Sequence, residues 1–86
     1  MIQQQPNRKE IARRGHELYE AIRPSIEPDH RGKYLVIDTV SGEYEIDAEH
    51  IVASVRAVAK HPLGLFYAVK VGDDVLGRIG FRGVAR

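Results

Sequence analysis

The chain has 86 residues, 43% hydrophobic and 29% charged, with a formal net charge of +1. That length makes one small domain, and that balance suits a folded protein better than a disordered one. With no cysteine, disulfides, thiolate nucleophiles, iron–sulfur ligation and cysteine-containing zinc sites are excluded.

No apolar run approaches the ~20 residues needed to span a bilayer. The start, Met1 to Pro6, lacks the basic and apolar stretches of a signal peptide. A cytoplasmic protein with no membrane partner is expected. Residues 1–7 read as a flexible tail, 8–82 as a single α+β domain and 83–86 as a carboxyl-terminal tail.

Asn7 followed by Glu10 has capping-box spacing, which predicts a first helix over 8–22. Pro24 should end it, because the residue before a proline is steered out of the α region. Ile11, Gly15, Leu18 and Ile22 form a narrow apolar stripe, so the helix should be peripheral, docked on the domain or on a second subunit. After a loop with two prolines, residues 33–39 predict a strand that is apolar on both faces (Tyr34, Val36 and Val40 against Leu35 and Ile37) and therefore central. Ser41-Gly42 predicts a tight hairpin. Residues 43–46 then alternate as an edge strand does, with Tyr44 and Ile46 opposite Glu43 and Glu45.

Asp47 stands where a cap should, ahead of a second helix ending at His61-Pro62. Its buried face is expected to be Ile51, Val52, Val55, Val58 and Ala59, with Arg56 and Lys60 outward. Residues 65–71 predict a third strand, apolar on both faces. Gly72-Asp73-Asp74 turns the chain into a fourth, 75–81, where Gly77 and Gly80 mark a bulge or a close backbone approach. The expected fold is α-β-β-α-β-β: a four-stranded, mostly antiparallel sheet of order 2-1-3-4. The second helix covers one face, and the first helix or a second subunit covers the rest.

Charge is unevenly spread. Residues 1–23 hold five basic and three acidic groups (+2), 24–49 hold two and seven (−5), and 50–86 hold six and two (+4). Folding can interleave these into a mixed surface, or leave an acidic and a basic side suited to a charged partner. His16, His30, His50 and His61 match no His-x(3–5)-His metal pair. Ser25, Thr39, Ser41 and Ser54 lie in no nucleophile elbow, and Gly77 to Gly80 is no phosphate loop. No catalytic, metal or cofactor site is expected. Asp38, an acid inside a doubly apolar strand, needs a partner, and the carboxyl-terminal arginines are the expected supply.

Arg31 to Asp38, followed by Gly-Glu-Tyr-Glu and a helix ending before His61-Pro62, resembles a family of small bacterial proteins best represented in cyanobacteria. Arg14 to Tyr19 resembles the Arg-Gly-His-Glu-Leu-Tyr-type helix of that family. The central part is similar to a short domain of unknown function found in bacteria and archaea. The likeness covers about residues 14–82. It implies a ββαβ core and an antitoxin-like or partner-binding role, with no site residues to carry over.

Two functions follow as expectations. One is a non-catalytic protein-interaction domain, homodimeric, and an antitoxin-like partner of an adjacent gene product. The other is nucleic-acid binding: Arg78, Phe81, Arg82 and Arg86, joined by Arg13 and Arg14, would grip and stack on a strand.

Overall fold

The computed structural model describes residues 7–72 and, as backbone alone, 79–82. Its elements are α1 (Arg8–His30), β1 (Tyr34–Asp38), β2 (Tyr44–Asp47), α2 (His50–Lys60), β3 (Leu65–Lys70) and β4 (Ile79–Arg82). Residues 1–6 of the amino-terminal tail, the turn through Asp73 and Asp74, Gly77, Arg78, the Phe81 and Arg82 side chains and the carboxyl-terminal tail lie outside the described residues, while Asn7 belongs to the helix start.

The fold is α+β, built on a three-stranded antiparallel sheet of order β2-β1-β3 with both helices packed on it. β4 pairs antiparallel along the far side of β3, from Leu65 opposite Arg82 to Ala68 opposite Ile79. Leu35, Val36 and Ile37 of β1 and Phe66 and Tyr67 of β3 are wholly buried. Strands buried on both faces need a cover on each side. α1 meets Leu35, Ile37, Tyr67, Val69 and Val71 on one face, and α2 meets Val36, Phe66 and Ala68 on the other. The sheet is thus sandwiched by the chain's own two helices, and the first is no peripheral element.

α1 departs most from expectation. Asn7 does cap it, its side chain accepting from the Glu10 N–H at 2.8 Å. The helix does not stop before Pro24, however, but runs on for 23 residues with Pro24 and Pro28 inside it. Each proline removes one donor from the helical ladder. The extension is held by tertiary contacts: Ile26 is 5% exposed within the core. Glu27 pairs with Arg23 at 2.8 Å and with Arg31 at 2.9 Å, and the Ser25 hydroxyl donates to the Ile22 carbonyl. The buried stripe is Ile11, Gly15, Tyr19 and Ile26.

α2 is a second correction. Its N-cap is Glu49, which makes no side-chain cap bond, and Asp47 instead accepts from the Glu49 N–H two residues on. Its buried residues are Ala53 and Ala57, while Ile51 and Val55 are 74% and 62% exposed. Phe66 and Val36 already fill the space above the sheet, so the small side chains face inward. The hairpin is also longer than expected. Residues 39–42 form the loop, closed by Asp38 N–H to Glu43 carbonyl at 2.9 Å and Gly42 N–H to Asp38 carbonyl at 2.7 Å.

Gly15 faces the Tyr67 side chain: a Cβ there would lie 2.1 Å from Tyr67 Cβ. Tyr67 Cβ is anchored to the backbone and cannot swing away. Gly15→Ala should therefore lose about 1–3 kcal/mol in urea unfolding from overpacking, despite a helix-propensity gain of about 1 kcal/mol. Pro24→Ala should do the opposite. Pro24 is exposed, the new N–H can reach the Glu20 carbonyl, and a gain of about 1 kcal/mol is expected in the same assay.

Candidate functional site

One pole of the molecule gathers the loop after β1, the start of β3, the first turns of α1 and the end of α2. Asp38 is its hub. The last residue of β1, it is 3% exposed, as expected for an acid in a central strand. Its Oδ1 accepts from the Val40 N–H at 3.1 Å and the Leu65 N–H at 3.3 Å. The Ser41 hydroxyl donates to Oδ2 at 2.9 Å. His61 Nδ1 lies 3.6 Å from Oδ2, and His61 Nε2 lies 2.9 Å from Glu43. The buried carboxylate is therefore satisfied by loop donors and flanked by an imidazole. The expected arginine partners lie outside the described residues, Arg78 entirely and Arg82 by its side chain.

Gly64 completes this hub. A Cβ there would meet Phe66 Cζ at 2.6 Å and Asp38 Oδ1 at 3.1 Å. Ser41, His61 and Gly64 were not legible as members of a site, because two loops distant in sequence, 39–43 and 61–64, bring them together. Ser41 spends its proton on Asp38, and Thr39 spends its own on the Leu65 carbonyl at 2.6 Å. The geometry latches two loops to the sheet, and no described Ser or Thr hydroxyl donates to a histidine.

Beside the hub, on the α1 side, a cavity of about 350 Å³ is lined by Glu10, Ile11, Arg13, Arg14, Thr39, Val40 and Leu65. Arg13 and Arg14, two of the residues singled out for binding, thus share one cavity. Arg14 Nε donates to the Thr39 carbonyl at 3.0 Å, whereas Arg13 pairs with Glu17 at 2.9 Å in solvent. Arg82 is opposite Leu65 in the ladder, so its backbone comes to the same pole. Arg78 and Arg86 lie outside the described residues.

At α2 the cations turn back on the sheet. Arg56 reaches Glu45 at 3.1 Å and Asp47 at 3.2 Å, and donates to the Ile46 carbonyl at 3.0 Å. Lys60 pairs with Glu45. The Lys60 hydrogen bond, seconded by the Arg56 charge, holds the Glu45 carboxyl below its ordinary range, against some desolvation. Asp47 is lowered first by the Glu49 N–H, then by Arg56. Glu45 in turn raises Lys60.

Among the described residues no helix is long and apolar enough to cross a membrane, and no group of three or more His, Asp or Glu side chains is placed to hold a metal ion. Comparison with protein-family models, curated proteins and solved structures found no match.

Two outcomes are expected. Asp38→Ala strips the acceptor from three donors, and each buried group left unpaired costs about 1–3 kcal/mol. A loss of at least about 2 kcal/mol in urea unfolding should follow. The ion pairs at α2 predict a pH window. Carboxyls lowered by folding stabilise above their ordinary range, and that stabilisation is lost as pH falls through the lowered values. The raised lysine stabilises below its ordinary range and loses that at high pH. Glu45→Gln should thus unfold more easily than the parent at neutral pH. The two should converge in acid, as read by urea unfolding across a pH series.

Proposed function

We propose that the chain is a non-catalytic protein-interaction domain that self-associates as a homodimer through the outer face of α2. The observation that carries this is the exposure of Ile51 and Val55, one turn apart on a helix whose two cations fold away to β2. The outer face is left aliphatic and without charge, and an exposed apolar patch rimmed by polar residues marks a contact surface. Leu63, just past the helix end, is 77% exposed.

A two-fold, antiparallel pairing of α2 with its copy makes this patch self-complementary. It sets the exposed Glu49 of one protomer near Lys60 of the other. An 11-residue helix is only ~16 Å long, and one face of it covers less than the about 800 Å² per partner of a standard interface. A micromolar dimer is the expected affinity class. The antitoxin-like role implied by the family resemblance would turn the same face toward a second protein, and co-purification with the product of the adjacent gene tests it.

A nucleic-acid reading has one observation in its favour: Arg8, Lys9, Arg13 and Arg14 crowd the first two turns of α1. Binding of that kind should weaken steeply with salt as counterions are released.

The homodimer is tested by mass in solution at tens of micromolar. The parent should run as a dimer, and the pair Ile51→Glu with Val55→Glu as a folded monomer. A parent that stays strictly monomeric removes the homodimer.

A further inference from the structure

The cavity at the start of α1 has no part in the α2 contact. At about 350 Å³ it falls within the range of small-molecule sites, about 300–1,000 Å³. Ile11, 3% exposed, lies deep in it, and Val40, 67% exposed, stands at its rim. Leu65 adds a third aliphatic wall. The polar lining is unequal. Thr39 has spent its hydroxyl on the Leu65 carbonyl, and Arg13 is engaged by Glu17.

Arg14 differs from both. Its Nε–H is fixed on the Thr39 carbonyl, and its two Nη groups take no partner among the described residues. We propose that this cavity binds a small aliphatic monocarboxylate. The carboxylate lies across Arg14 Nη1 and Nη2, and the chain lies on Ile11, Val40 and Leu65.

The reasons are physical. A guanidinium end presents two parallel N–H donors that match the two oxygens of one carboxylate. The bond to Thr39 orders that fork beforehand, so less freedom is lost on binding. Glu10, also in the lining, adds a like charge that opposes any anion and opposes a dianion such as phosphate more strongly than a monocarboxylate. The apolar walls disfavour a bare anion in the same way, since they reward only a ligand with a hydrocarbon part.

The test is an amide-resonance titration of the 86-residue chain with hexanoate, hexan-1-ol, hexylamine and inorganic phosphate at low salt. Hexanoate should shift the Ile11, Val40 and Leu65 amides saturably in the millimolar range, and the other three probes at least about tenfold more weakly. Arg14→Lys keeps the charge and loses the fork, so hexanoate should bind about tenfold more weakly. Because Arg14 also holds the loop, Val40→Glu serves as the second variant. It leaves Arg14 in place, sets a competing carboxylate at the rim, and should weaken hexanoate by a similar factor with the remaining spectrum unchanged. The proposal is overturned by the absence of saturable shifts at about 20 mM hexanoate. It is equally overturned if hexanol or phosphate matches hexanoate, or if Val40→Glu binds like the parent.

Discussion

The antiparallel ladder between β1 and β3 sets Tyr34 beside Lys70 and runs through to Asp38 beside Phe66. Along it, apolar side chains project from both faces of both strands, and the rest of the architecture answers that demand. Burying each large aliphatic or aromatic side chain contributes about 1.5–3 kcal/mol, and neither face can be left wet. The two faces are filled differently. Toward α1 the sheet presents Leu35, Ile37, Tyr67 and Val69, and the helix yields to them at Gly15. Toward α2 it presents Phe66 and Val36, and the helix yields with Ala53 and Ala57.

Much of this arrangement was legible in the residues. Two doubly apolar segments, 33–39 and 65–71, marked adjacent central strands, and the alternation at 43–46 marked an outer one. Two things were hidden. Periodicity reads the bulkiest apolar residues of a helix as its buried face, whereas α2 has aliphatic residues on two sides and buries its smallest ones, Ala53 and Ala57. That choice belongs to Phe66, which is distant in sequence. Proline likewise reads locally as a helix end, yet the pull of Ile26 into the core and the Arg23–Glu27–Arg31 chain of charges carry α1 past two of them. The candidate site was half visible. Asp38, Arg13 and Arg14 stood out as residues, but Ser41, His61 and Gly64 join Asp38 only through loop geometry.

The lopsided charge of the sequence also finds a local explanation. The acidic middle segment, −5 over residues 24–49, is answered from both sides. Arg23 and Arg31 bracket Glu27, Arg56 and Lys60 gather Glu45 and Asp47, and His61 meets Glu43. Folding interleaves much of what the linear order separates. The same pairing that neutralises β2 strips charge from the outer side of α2, so electrostatic compensation and an exposed aliphatic surface arise together.

The two prolines of α1 have a consequence for the order in which the molecule is built. A helix elongates one ladder bond at a time, and the gaps at Pro24 and Pro28 interrupt that growth where local propensity would have to sustain it. The turns from Arg23 to His30 therefore cannot run ahead of the sheet. They close when Ile26 finds Val71 and the Tyr19 hydroxyl accepts from the Gly72 N–H at 3.0 Å. The first half of the helix can nucleate by itself from its Asn7 cap, while the second half is a clasp. Missing two ladder donors, it depends on the sheet for its hold, and its amides are expected to exchange ahead of those in the first half.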